Sequence, residues 1–397
     1  MPAAPTPRRS APQGDPRLHL RAGAGAAQPA DRALLRRLLH HRRLVLLRAL
    51  WERTAELGPP SPHFTAAWRL LEAAEQRNPA AVRRVLLYPT VGLRLAAALS
   101  APERPGASAP AGFGEIACAA AVAARVPAVH RLAPPSDSAV LPGLGRFAAP
   151  GGELTLPHVR AAVRPRRLPG AAARLDDVEP LHTADGTPTG VRTDRRTWSA
   201  RFGAALGVLS AVDAEGGAEV RSLLQCVLPL PEPPHGGGHS SMTLRAAPGA
   251  VFTTLPADAY SFAAVLVHEV QHTKLALLDV LRPLHTARNH ERYEVGWRSD
   301  PRPVEAVLQG TFAHLALAEL WHRLATGPTA RAAAVPCSHE AWQQTARTLA
   351  QLRDSNELTY EGRQFVRGMV LRHTRLGRGL RRRRPARVAL PETVIAT

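Results

Sequence analysis

The run VLVHEVQHTKLALLDVL, residues 265–281, restricts the possible folds more than any other stretch of the chain. Its apolar residues recur at helical spacing, yet His268, Glu269 and His272 sit in the middle of it. Burying such groups unpaired costs several kcal/mol, so the fold must give them partners. Asp258 can cap a helix that begins near Ala259, and Pro283 stops it. On that helix His268 and His272 are four residues apart and project from one face, while Glu269 lies about 100° round the axis. The pattern is HExxH: two imidazole ligands with a carboxylate beside the ion. Without a metal, the same residues would be hydrogen-bonded core histidines.

Two ligands do not complete a site. Asp279 shares the face of His272 but lies about 10 Å further along the axis, too far for the same ion. The candidates for a third ligand are His285, just past the helix stop, Glu305 and His314. The stretch PVEAVLQGTFAHLALAELWHRL predicts a second long helix, in which Gly310 would let another helix approach closely. His314 follows one turn after Gly310 and is favoured, with Glu305 next. Between the helices, YEVGWRSDPRP brings Trp297, Arg298, Asp300 and Arg302 into one Pro-fixed loop. Its arginines could grip a carboxylate beside the metal, or could merely brace the loop through Asp300.

Composition bounds the partners. The 397 residues carry 51 Lys+Arg against 32 Asp+Glu, a formal charge of +19. Such an excess favours acidic partners, although a GC-rich coding bias would also enrich Arg along with Ala, Pro and Gly. Cys118, Cys226 and Cys337 are far apart and odd in number, so neither a disulfide framework nor a CxxC knuckle is expected, and a reducing, cytoplasmic compartment fits. No run reaches the roughly 18 apolar residues of a membrane span, and the N-terminus lacks an export segment. Nucleic acid is not the expected partner, because no zinc finger, RNP motif or aromatic-interleaved basic patch is present.

The pattern predicts an α+β chain that is mostly helical: an N-terminal helical region, a short-stranded middle and C-terminal metal-binding helices. Residues 1–30 read as a disordered basic tail. Region 31–130 is helical, with Asp31 as the expected cap of an Arg- and Leu-rich helix over 32–48 whose leucines face a core. Region 131–255 breaks into short strands and loops, with a helix near TWSARFGAALGVLSAV, a buried strand at LLQCVLPL, a flexible loop at PEPPHGGGHSS, and an edge strand or hairpin at SMTLRAAPGAVFTTL turning at Pro248-Gly249. Region 256–375 is the helical HExxH unit, and 376–397 is a frayed basic tail containing the RRRR run at 381–384.

The chain resembles the HExxH-motif peptide-modification proteins of actinobacterial ribosomal peptide clusters, which are regarded as iron- and 2-oxoglutarate-dependent peptide β-hydroxylases. The matching pieces are NPAAVRRVLLYPTVGLRL, RLDDVEPL, SSMTLRAAPGAVFTTLP leading into LVHEVQHTKLALLD, WRSDPRPVEAVLQGTFAHLALAELW and LTYEGRQFVRGM, over roughly residues 60–370. HExxH alone is shared with zinc peptidases; the combination with WRxDPRP and the closing LTxxGRxFV is more specific. The resemblance implies Fe(II) on His268, His272 and a third ligand, with open positions for 2-oxoglutarate and O2. Arg302 or Arg298 would hold the distal carboxylate of 2-oxoglutarate, Lys274 being a weaker candidate. It implies hydroxylation of a side-chain Cβ in a precursor peptide, with or without recognition of a leader peptide. A two-histidine, one-carboxylate set favours Glu305, and a three-histidine set favours His314. Glu269 then has no proton to abstract and instead orients water, a ligand or the peptide.

Two other readings stay open. In a zinc metallopeptidase Glu269 is the general base on a metal-bound water, and the edge strand aligns the substrate backbone; the absence of an HExxHxxGxxH continuation and of a clear NExxSD on the second helix counts against it. In a basic, non-enzymatic protein the 32–48 helix and the RRRR run would bind an acidic peptide or nucleic acid.

Overall fold

Two apolar cores share one thin sheet as their common wall. The structure, a computed structural model, describes residues 15, 17–25, 28–100, 112–133, 135–179, 193–232, 239–286, 288, 290–327 and 330–381. Among these the chain is α+β and mainly helical. Helices α2 (Pro29–Glu56), α3 (Pro62–Arg77), α4 (Pro79–Leu86), α5 (Pro89–Ser100) and α6 (Phe113–Ala124) form the N-terminal region after a short α1 (Leu18–Gly23). Strands β1 (Ala128–Arg131), β2 (Ser138–Leu141), β3 (Gly145–Ala148), β4 (Glu153–Leu156) and β5 (Ala161–Val163) make two small antiparallel sheets, β1-β4 and β2-β3-β5. Then come β6 (Arg166–Arg167), β7 (Arg174–Leu175), α7 (Arg195–Val212), α8 (Ala214–Leu223), β8 (Cys226–Pro229), β9 (Ser241–Met242) and β10 (Ala250–Thr253). Four long helices close the chain: α9 (Ala259–Leu281), α10 (Val304–Thr326), α11 (Ala334–Asp354) and α12 (Tyr360–Arg381).

The dividing sheet has the order β6-β7-β8-β10-β9, parallel across β7-β8-β10 and antiparallel at both edges. Both faces of its centre are covered, so β8 and β10 are apolar without alternation. Val227 and Val251 point into the core built by α7, α9, α10 and α12, whereas Cys226, Leu228, Ala250 and Phe252 point into the core of α3–α6. The expected hairpin is present: Met242 pairs with Phe252 and Ser241 with Thr253, and Gly249 takes the positive φ of +93° that the turn needs. This puts β9 at the edge of the sheet, beside α9.

Several expectations are corrected. The cap of α2 is Gln28, not Asp31; Pro29 fills the first helical position, and Asp31 in the first turn accepts the Gln28 N–H at 2.9 Å and the Arg21 guanidinium at 2.8 Å. The stretch expected as a disordered tail contains α1, whose Leu18 and Ala22 are buried and whose Gly23 packs directly on the Phe365 carbonyl of α12. Helix α12 runs on to Arg381, past the expected boundary at 375. Residues 382–384 of the RRRR run, residues 1–14 and residues 233–238 of the Gly-rich loop lie outside the described residues. As expected, the leucines of α2 (Leu34, Leu35, Leu38 and Leu39) are buried, and so is Arg43, which donates to the Ala246 carbonyl in the β9–β10 connection. Among the described residues no helix is long and apolar enough to cross a membrane.

The closing LTYEGRQFVRGM segment is a fastener for the end of α9. Thr359 donates its hydroxyl to the Pro283 carbonyl at 2.6 Å and its N–H to that of Leu284 at 3.1 Å. Gly362 then sits so close to the Leu284 carbonyl that a Cβ would lie 1.9 Å from it.

Candidate metal centre

Helix α9 forms as its sequence requires. Asp258 caps it by accepting the Ser261 N–H at 2.7 Å, and Pro283 follows its end. One face is buried against the sheet and α7, and the other faces α10. His268 and His272 meet on the α10 side with their Nε2 atoms 3.0 Å apart. His272 turns its Nδ1–H to the Gln309 Oε1 of α10 at 2.9 Å, which fixes its tautomer and leaves the Nε2 lone pair directed at His268. Burial pushes the His268 imidazole well below its ordinary pKa, reinforced by the neighbouring His272 and His314. The His268 ring is therefore kept neutral, as a ligand must be.

His314 on α10 is the third imidazole. Its ring centre is 5.3 Å from that of His268, its Nδ1–H donates to the Gly310 carbonyl at 2.8 Å, and desolvation pushes it down to about 4. Trp297 covers it in a parallel stack, 4.2 Å between ring centres and 15° between planes. Gly310 serves this indole: a Cβ there would fall 2.5 Å from the Trp297 Cζ2. The close approach expected at Gly310 is thus made by a loop side chain and not by another helix.

Of the other two candidates for the third ligand, Glu305 lines the same pocket but is paired, and His285 lies outside it. Glu305 pairs with Arg245, which also holds Asp279 at 2.7 Å. His285 forms an isolated β-bridge with Leu358, with its Nδ1 on the Thr286 carbonyl, away from the pocket. Among the described residues no group of three or more His, Cys, Asp and Glu is arranged to hold an ion as the side chains stand. The His268–His272 pair is in place and His314 is its nearest imidazole neighbour.

Whether the pair suits a metal is a matter of distance. Two nitrogens about 2.1 Å from one ion and about 90° apart, as on one face of an octahedron, stand about 3.0 Å from each other; this is the separation found, bridged by a hydrogen bond between the two rings. Two of the three imidazoles also have the second hydrogen bond usual for ligating histidines; His268 is the exception, its Nδ1 being buried without a partner among the described residues. The residues fit an ion on the pair.

Glu269 is in the pocket wall but is not free. One carboxylate oxygen accepts the Ser241 hydroxyl and the other that of Thr243, each at 2.7 Å, so the residue ties α9 to the edge strand β9. Ser241, Thr243, Gln309 and Arg245 escaped the sequence reading. The signal for the first two is their spacing, two apart at the edge strand whose hairpin leads into the HExxH helix.

The pocket encloses about 350 Å³. Its floor is His268, His272 and His314, and its rim carries Arg245, Arg298 and Arg302. Asp300 lies between the last two, at 2.9 Å from Arg298 Nε and 2.8 Å from Arg302 Nη1, and these hydrogen bonds, that of Arg302 first, hold its carboxyl at about 2. Both loop arginines thus reach the pocket and brace the loop at once. Lys274 does neither: it points to the opposite side of α9, bonded to Glu219 at 2.7 Å in a separate small cavity.

No protein-family model matches the chain, and no curated protein matches it in sequence.

Proposed function

We propose that the protein is an Fe(II)- and 2-oxoglutarate-dependent oxygenase that hydroxylates a side-chain Cβ of a ribosomally made precursor peptide. The observation that carries this reading is the converging pair of Nε2 atoms, 3.0 Å apart, at the floor of a pocket rimmed by guanidiniums. His268 and His272 would hold the metal, with His314 the third ligand. Bound iron would direct O2 to the substrate with 2-oxoglutarate as the two-electron reductant, one oxygen atom replacing C–H by C–OH and the other entering succinate as CO2 is lost. The chain's own part is to bind, orient and exclude. Gln309 fixes the His272 tautomer, Arg302 and Arg298 offer donors to a carboxylate, and Trp297 closes one wall. Free Cys118, Cys226 and Cys337 suit a reducing, cytoplasmic setting.

The zinc peptidase reading uses the same histidines but needs Glu269 to receive a proton from water. In the oxygenase reading Glu269 needs no proton, and its two hydroxyl partners give it a bracing role between α9 and the sheet edge. The deciding experiment is anaerobic reconstitution with Fe(II), followed by O2 and 2-oxoglutarate. Succinate release that requires Fe(II), His268 and His272, and a +16 Da product on a precursor peptide encoded nearby, is expected. Peptide cleavage with Zn(II) and no need for 2-oxoglutarate would overturn the proposal.

A further inference from the structure

The loop from Tyr293 to Arg302 is closed on itself and tied to α11. Tyr293 and Arg302 exchange both backbone hydrogen bonds at 2.9 Å. Gln344 donates to the Gly296 carbonyl at 3.3 Å, Gln351 to that of Glu294 at 2.9 Å, and the Tyr293 hydroxyl to Ser355 at 2.5 Å. A loop so tethered delivers its side chains at fixed positions. One of them, Trp297, lies flat against His314 over the bare backbone of Gly310. The imidazole is thus fixed twice: its plane by the indole, and its tautomer by the Gly310 carbonyl 2.8 Å from Nδ1. The nitrogen left without a backbone partner is Nε2, on a ring that also meets His268 edge-on, 5.3 Å between centres.

We infer that Trp297 is a positioning residue: its indole sets the plane of the His314 ring and thereby decides whether His314 joins His268 and His272 on the metal. The inference rests on the metal-site reading above. It separates the indole from ordinary filler, because stacking depends on a flat ring at this place whereas filling depends only on volume. A flat phenyl ring preserves the effect and a branched aliphatic side chain of similar bulk does not.

The probe is Co(II) alone, titrated anaerobically into the full chain, read by its visible d–d absorption and by calorimetry, with apo melting temperature as the control for folding. Wild type and Trp297→Phe are expected to bind one Co(II) with the same spectrum. Trp297→Leu is expected to bind at least tenfold more weakly and to take on the spectrum of His314→Ala, its apo melting temperature staying near wild type. Gly310→Ala, which displaces the indole from the helix side, should give the same spectrum and covers the case of a poorly folding Trp297→Leu. Retention of the wild-type spectrum, with affinity within threefold, in Trp297→Leu or in Gly310→Ala overturns the inference, as does a wild-type spectrum in His314→Ala. Failure of the wild-type chain to bind Co(II) overturns the metal-site reading and this inference with it.

Discussion

Ser241 donates its hydroxyl to Glu269 at 2.7 Å, across the seam between the sheet edge and the HExxH helix. Thr243 does the same to the second oxygen. Glu269→Gln keeps one acceptor and offers an amide donor that either hydroxyl can turn to receive. We expect it to fold, to bind metal, and to retain at least about a tenth of the 2-oxoglutarate turnover; a general base removed this way would cost about 10²–10⁴-fold. Glu269→Ala strands the buried Ser241 hydroxyl, whereas Thr243 keeps the backbone carbonyl of residue 269 at 3.2 Å, and the change is expected to lower stability by about 1–3 kcal/mol. Urea unfolding alongside succinate assays separates the two effects.

Gln309 is the partner that fixes the His272 tautomer. Losing an outer hydrogen bond of this kind typically costs about 10–100-fold in metal affinity. Gln309→Leu should therefore weaken Co(II) binding by that factor, and Gln309→Glu, which keeps the acceptor, should restore it. Equal affinities for Gln309→Leu and wild type in a calorimetric titration would remove Gln309 from the site.

Arg302 reaches the pocket rim while held by Asp300. If its free donors take the distal carboxylate of 2-oxoglutarate, Arg302→Leu forfeits charge-assisted hydrogen bonds of about 1.5–3 kcal/mol, or about 10–100-fold in KM for 2-oxoglutarate. Metal affinity should be unchanged. A KM that stays put in Arg302→Leu and rises in Arg298→Leu would assign the grip to the other arginine.

The helical ends of the chain and the histidine pair are legible because periodicity and i, i+4 spacing are local properties. Asp258, Pro283, His268 and His272 stand where the pattern placed them. What sequence could not supply was the environment of each group. Lys274 is two residues from His272, yet helical geometry turns it to the far side of α9, where Glu219 takes it. Glu305 has the right chemistry for a ligand, but Arg245, sixty residues away, already occupies it. Asp31 looks like a cap until Pro29 is seen to be a better first helical residue with Gln28 before it. Gly310 reads as a point of close approach, but that the approaching group is the Trp297 indole appears only in the fold, as does the Leu284 carbonyl that packs on Gly362.

Gly362 gives a prediction independent of any chemistry. A methyl at this position meets a backbone carbonyl at 1.9 Å, so α12 and the end of α9 must separate. Overpacking of this kind costs about 1–3 kcal/mol or more. Gly362→Ala is expected to lower the melting temperature, with no change in the Co(II) spectrum of the protein that remains folded. An unchanged melting temperature would show that the fastener is dispensable.

The far side of α9 contributes to acid stability. Glu219 bonds to Lys274 at 2.7 Å and Glu319 to Arg372 at 2.8 Å, in one buried cluster. Burial alone would raise both carboxyls, but the charges and hydrogen bonds of Lys274 and Arg372 outweigh it and hold both below their ordinary value of 4.5. The unfolded chain therefore binds these protons more readily than the folded one. The stability they contribute is fully present above pH 4.5 and is lost as pH falls through the lowered folded values. Glu219→Gln should flatten the fall of unfolding free energy below pH 4.5. Lys274→Met, which leaves Glu219 buried without its cation, should destabilise by about 3–5 kcal/mol at neutral pH. It should also flatten the acid dependence, because Glu219 loses the larger of its stabilising partners and keeps only the Gln271 amide at 3.0 Å and the charge of Arg372, while Glu319 titrates as before. Urea titrations from pH 3 to 7 on the three proteins would show both effects, and parallel curves for wild type and Lys274→Met would exclude the assignment.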